Sequence, residues 1–336
     1  MKILVIEAAG LHLGYLGCYG NDWVATPNLD RLAADGIVFD WHFADQPELD
    51  FTTPFEQRGG AGPQSVRPRV VRCANPLSFA ADVLAALETD APWVWIEGPS
   101  LLPPWKHDDE LLDVYFDEDD VEEGLSAWRN PPLADVSLND AEVLQLQNTY
   151  AAVVTAFDAQ LGALLERALL DDTFICVTAR SGLPLGEHGM IGAPRPMLHD
   201  ELVHIPLVMR MPDNQYAGLR IGALTQSSHL CPTLLDALGP AAGTAGASLW
   251  PLLRGEKSEL RSHAICTLRV GNEQRWLVRT ADWAYHVSTP SGAAPQLFVK
   301  PDDRWEVNDL CQQQSEIAAE LDALLTATNA KRGDSP

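Results

Sequence analysis

The first 240 residues alternate short unbroken apolar runs with segments in which apolar residues recur every three or four positions. Ile3 to Ile6 is the first such run, and a run with no polar interruption suits a strand covered on both faces of a parallel sheet. A helix is predicted to begin at Thr26-Pro27, a capping residue followed by a first-turn proline. Leu29, Leu32 and Ala33 form its apolar face, and Gly36 is placed to end it. Gly10, Gly14, Gly17 and Gly20 mark the loop between strand and helix; glycine there permits positive φ or close backbone approach. Helical spacing returns at Leu77–Glu88 and a strand at Ala91–Glu97. Ser137 or Asn139 caps a long helix reaching about Leu169, with Leu144, Tyr150, Ala151, Val154, Phe157, Leu161, Leu164 and Leu165 toward the sheet. Strands follow at Thr173–Ala179 and Ile205–Arg210, and a helix at Leu230–Gly239. From Lys257 to about Thr326 the pattern changes to short strands with turns and a closing helix. Alternating strands and helices predict an α/β fold built on a mostly parallel sheet between helices.

Composition narrows the function more than the fold. Hydrophobic content of 46% and charged content of 21% are those of a soluble globular chain, and 336 residues suffice for a large core. The formal net charge of -24 excludes nucleic acid and anionic membrane as expected partners, because phosphate binding needs clustered Lys and Arg. No stretch reaches the roughly 20 apolar residues of a membrane span, and Lys2 leads directly into a strand rather than a signal peptide. Six cysteines, Cys18, Cys73, Cys176, Cys231, Cys266 and Cys311, are scattered without a C-x-x-C pair. They read as reduced thiols of a cytoplasmic protein, not as a disulfide framework or a zinc site. His107 to Glu123 is strongly acidic; its spacing lacks the alternating ligands and central glycine of an EF-hand, so a solvated acidic face is expected.

Several blocks, in order, resemble the sulfatase family of the alkaline phosphatase superfamily. "LGCYGN" at Leu16–Asn21, "TPNLDRLA" at Thr26–Ala33, "LGEHG" at Leu185–Gly189, "LCPTLLDALG" at Leu230–Gly239 and "SLWPLLRGE" at Ser248–Glu256 carry the likeness. Tyr150 to Leu165 resembles a family helix whose acidic position falls on Asp158, read as structural. The resemblance implies a sulfatase-like α/β domain over 1–256 and a C-terminal subdomain of antiparallel sheet plus helix over 257–328; the polar end of the chain, 329–336, is expected to be a disordered tail.

The same comparison implies lost chemistry. Active relatives bind a divalent metal, usually calcium, through acidic and histidine residues at two strand ends, and convert a Cys or Ser in C-x-P-S-R or S-x-P-S-R to formylglycine. Here the first metal pair falls on Ala9 and Gly10, the second on Arg180 and Ser181, and a later substrate-contacting basic residue on Ala193. The nucleophile position falls near Leu49 and its arginine near Thr53. Thr52, Thr53 and Ser65 offer hydroxyls, which are weak nucleophiles without a metal or base. No lysine or histidine lies between Phe55 and Pro92, where the family carries both. His188 sits in the loop-shaping part of its motif; it is read as structural, with a metal ligand or general base as the rival. His199 and His204 lack zinc-protease spacing. Calcium and formylglycine are therefore expected to be absent, no catalytic or metal residue is assigned, and the old cleft is expected to serve a binding or regulatory role toward a small anion or a protein partner. Arg180 has two readings, an anion-binding group or a structural ion pair with Glu7 or Glu187. The alternative function is a divergent metal-dependent sulfuric or phosphoric ester hydrolase with a site relocated among Glu7, Asp22, Asp45, Asp50, His188 and His199.

Overall fold

The computed structural model of the protein describes residues 1–48, 67–73, 79–106, 109–116, 125–166, 172–239, 247–289 and 293–332. Leu49, Asp50, Thr52, Thr53, Ser65, the acidic run at 117–123 and the last four residues lie outside the described residues. Within them, seven strands form one sheet: β1 (Lys2–Ala9), β2 (Ile37–Phe43), β3 (Arg69–Arg72), β4 (Trp93–Ser100), β5 (Thr173–Ser181), β6 (Leu207–Arg210) and β7 (Leu219–Gln226). Their spatial order is β3-β4-β1-β5-β6-β2-β7. At the centre β1 runs parallel to both β4 and β5, with Glu7 opposite Glu97 and Thr178. The short β6 is antiparallel to β5 and β2 and makes the sheet mixed.

The unbroken run in β1 has the expected cause. Leu4 and Ile6 pack on one side of the sheet with Leu29, Val83 and Phe157, while Ile3 and Val5 pack on the other with Leu234, Leu235 and Leu252. Those partners come from helices α1 (Pro27–Ala34), α2 (Phe79–Leu87) and α4 (Asp140–Leu165) on the first side, and α6 (Leu230–Leu238) and α7 (Trp250–Leu253) on the second. Two shorter helices, α3 (Asp109–Leu112) and α5 (Asp200–Val203), complete this part. Asn139 forms a full capping box with Glu142 at the start of α4, as the sequence suggested. Leu144 is an exception to the predicted face: it is 39% exposed, on the turn before the helix reaches the core.

Helix α1 is capped differently from the expectation. Thr26 occupies the N-cap position but makes no capping bond; its Oγ1 accepts from the Gly17 backbone N–H at 2.9 Å. The carboxylate of Asp158, on α4, accepts from Leu29 N–H at 2.7 Å and Asn28 N–H at 3.1 Å instead. Gly36 does not supply a left-handed C-cap either; a Cβ there would overlap the Met209 carbonyl oxygen of β6.

A second, four-stranded antiparallel sheet follows, β8 (Ala264–Val270), β9 (Glu273–Arg279), β10 (Trp283–Thr289) and β11 (Gln296–Val299), in the order β11-β10-β9-β8. One face packs Ile265, Trp276 and Leu297 against Leu321 and Leu325 of α8 (Ser315–Arg332). The other packs Cys266, Leu277 and Phe298 against Phe43, Leu198 and Leu202. Because α8 continues through Arg332, residues 329–332 are helical and not part of a disordered tail. No helix among the described residues is long and apolar enough to cross a membrane.

Candidate functional site

The positions that the resemblance equates with metal ligands lie at the ends of the central strands. Ala9 ends β1, and Gly10 follows at φ +74° with its absent Cβ facing Leu102 at 2.8 Å. Arg180 and Ser181 end β5. The Arg180 guanidinium, 4% exposed as a residue, stands 3.1 Å from Glu48, 3.4 Å from Glu7 and 3.4 Å from Glu97. Trp95 Nε1 donates to Glu7 at 3.1 Å, Arg72 Nε donates to Glu97 at 2.8 Å, and Ser181 Oγ donates to the Glu48 carbonyl at 2.9 Å. The predicted partner Glu7 is thus present. Glu187 is not a partner; it accepts from the Leu185 backbone N–H. Glu48 and Glu97 were missed, although a lone acid closing the apolar run of β4 was a signal for Glu97.

The retained loop motif leads to a second polar cluster. Gly182 N–H donates to the Leu202 carbonyl at 2.9 Å, and a Cβ on Gly182 would overlap the Glu201 carbonyl. That contact brings the loop after β5 against α5. His188, at φ +56°, stacks on His199 with ring centroids 3.7 Å apart. Burial lowers the proton affinity of His188, but the adjoining Glu201 carboxylate, 3.4 Å away, outweighs it and raises the group above its ordinary range. Beyond His199 lie Glu306, His286 and Lys300 from the second sheet and its following loop. His286 Nε2 is 3.1 Å from Glu306 Oε2, and Lys300 Nζ is 2.9 Å from Glu306 Oε1 and 3.1 Å from Asp200. Burial opposes charge on Glu306, yet His286 and His199 hold its carboxyl well below the usual range. Ala193 packs with the apolar group around Phe43. Of the residues proposed for a relocated site, only His188 and His199 meet in this cluster. Glu7 is at Arg180, and Asp45 accepts from Ser228 N–H at 2.7 Å.

A cavity of about 430 Å³ opens beside this cluster, lined by His12, Trp41, His204, Arg279, Lys300 and Arg304 among others, including Asp22. Ala9, Gly10, Arg180 and Ser181 do not line it. The Arg279 guanidinium lies over Trp41 at 5.3 Å and Phe43 at 5.6 Å, a cation–π setting. Its Nη1 donates to the Thr280 carbonyl, while Nε and Nη2 find no hydrogen-bond partner among the described residues.

This mixed α/β sheet with a small antiparallel sheet behind it defines the sulfatase class of fold. Residues 96–240 match the sequence model of the sulfatase family. The chain is 31% identical over 138 residues to an N-acetylglucosamine-6-O-sulfatase of Bacteroides thetaiotaomicron, covering 39% of this chain and 24% of that protein. It is 32% identical over 134 residues to the multifunctional alkaline phosphatase superfamily protein PehA of Trinickia caryophylli, covering 38% and 26%. The chain therefore aligns with only about a quarter of the length of these relatives. The crystal structure of a phosphonate monoester hydrolase of Agrobacterium radiobacter superposes with a TM-score of 0.69 at 18% identity, over 98% of this chain and 95% of that one. The family-model match over residues 96–240 and these partial relatives support membership of the sulfatase/alkaline phosphatase superfamily, and the solved structures share its fold.

Proposed function

We propose that this protein is a sulfatase-fold binding protein whose strand-end site no longer turns over esters, and that it binds a small anionic ligand in the cavity beside Arg279. The observation that carries this reading is the buried Arg180 guanidinium among Glu7, Glu48 and Glu97. Hydrolysis in the superfamily needs a divalent cation at this place to polarise the transferred group. A guanidinium is no Lewis acid, and its fixed charge repels the cation that would be one. The carboxylates that surround it are occupied in neutralising it.

The cavity offers what the strand ends lack. Arg279, whose Nε is 3.7 Å from Asp200, has donors without hydrogen-bond partners among the described residues, and Arg304 and His204 also line the cavity. Asp200 and Glu201 lie there too, so charge complementarity favours a small acid group over a polyanion. A relative whose name includes 6-O-sulfatase suggests sulfated sugars as the first class to try.

Calorimetric titration with glucosamine 6-sulfate, inorganic sulfate and phosphate tests the binding. Hydrolysis of aryl sulfate and aryl phosphate, with calcium, magnesium, manganese or zinc added in turn, tests the inactivity. Saturable binding of at least one anion is expected, weakened about tenfold, or about 1.4 kcal/mol, by substitution of the exposed Arg304→Ala, with no turnover above buffer. Metal-dependent turnover would overturn the reading in favour of a divergent sulfuric or phosphoric ester hydrolase. Absence of binding by every anion would remove the ligand assignment.

A further inference from the structure

We propose that His199, His286 and Glu306 form a divalent transition-metal site, of the kind zinc occupies, that clasps the second sheet to the main one. All three residues are buried, and their ligand atoms lie within 4.8 Å of one another. His199 Nδ1 and His286 Nε2 both face Glu306 Oε2, the former in close contact and the latter at 3.1 Å. Ligands about 2.0–2.1 Å from a tetrahedral zinc stand roughly 3.3 Å from each other; the His286–Glu306 separation matches that spacing, and the closer His199–Glu306 hydrogen bond would have to open to admit the ion.

A plain hydrogen-bond network accounts for His199, which bonds Glu306, but less well for His286. His286 is 2% exposed, yet neither of its ring nitrogens finds a hydrogen-bond partner among the described residues. Its Nε2 approaches the carboxylate without the alignment a hydrogen bond needs. Buried polar atoms are almost always paired, and a metal would satisfy this one.

The surroundings suit a cation. Lys300 holds Glu306 Oε1 and Asp200, leaving Oε2 as a single ligand atom. Asp200, Glu201 and Glu306 set three carboxylates around the site, two of them paired with Lys300 and one with His188. Glu306 is held at φ +52° and His188, stacked on the ligand His199, at φ +56°. Non-glycine residues in this region are strained, and such strain gathers at functional sites. Two histidines and one glutamate leave a fourth coordination position open.

The ligands come from the segment before α5, from β10 and from the loop after β11. A metal here would therefore tie together parts that are distant in sequence. This proposal is independent of the anion-binding one, since it is read from metal content and spectra rather than from anion binding or turnover.

The test is to strip the full chain with chelator, add back zinc or cobalt, and pass it through a desalting column. One retained equivalent of zinc is expected, with a saturable rise in unfolding temperature. Cobalt should give visible ligand-field bands without the near-ultraviolet thiolate band that the six cysteines would produce. Glu306→Gln and His286→Gln should lose the retained metal and the bands. X-ray absorption of the zinc-loaded wild type keeps the question open to refutation if either variant fails to fold, and a first shell of nitrogen and oxygen with two imidazoles is expected. Sulfur in that shell, substoichiometric metal in the wild type, or unchanged retention in a folded Glu306→Gln variant would overturn the site.

Discussion

Arg180 shows what a single residue can disclose and what it cannot. Its place in the "TARSGLPLGEHG" block puts a cation where the resemblance implies metal ligands. Its partners were only partly legible. Glu7 was nameable because β1 and β5 were both recognisable strands, whereas Glu48 and Glu97 come from a loop and from a strand whose neighbour could not be known before the sheet order was. Charge burial of this type is costly to break from one side. Arg180→Met, which leaves three carboxylates facing one another, is expected to destabilise the fold by about 3–5 kcal/mol, measured by urea unfolding at pH 7. Adding Glu7→Gln and Glu97→Gln should recover part of that loss, because the pairs are coupled; an additive triple variant would show that Arg180 is held by something else.

At the scale of elements, the sequence located most helices and strands because each has a one-sided or unbroken apolar pattern. It misjudged how α1 is anchored. Thr26 has the right chemistry at the right position, but its hydroxyl is drawn to Gly17, and the helix end is satisfied from α4. Such a substitution of partner depends on which helices lie side by side, which a local pattern does not record. Gly36 is similar: the terminating glycine was visible, and the reason for it, the approach of the β6 backbone, was not. Asp158→Ala is expected to cost about 1–3 kcal/mol by leaving buried N–H groups of α1 unsatisfied. Hydrogen exchange should show the loss concentrated at Asn28 and Leu29; a uniform change over the whole chain would contradict the capping role.

Across the whole molecule, buried imidazoles set the response to acid. His229 is pushed down to about 3, first by burial and then by the Arg261 charge. Burial likewise drives His42 well below its ordinary value, with His229 and His204 adding to the effect. In the unfolded chain these groups take up protons below about pH 6.5, while the folded protein keeps them neutral. The unfolded state then binds more protons, so stability is full above about pH 6.5 and declines as pH falls toward about 3, by up to about 1.4 kcal/mol per pH unit for each such histidine. Denaturant unfolding between pH 7.5 and 4.5 measures the slope, and His229→Gln should reduce it by about one proton; an unchanged slope would mean that His229 titrates normally in the fold. The overall architecture was the most legible level, since family blocks in the right order span nearly the whole chain. The histidine cluster was the least, because its members lie far apart in sequence and none has ligand spacing.

Gly182 joins these levels. Lying two residues beyond Arg180, it touches the peptide of Glu201, itself two residues beyond His199, with backbone against backbone and no side chain between them to absorb movement. The charge cage at the strand ends and the histidine cluster under the second sheet are thus geared together. The backbone contact leaves no compliant side chain between the two, so the strand ends and the histidine cluster share one tight joint.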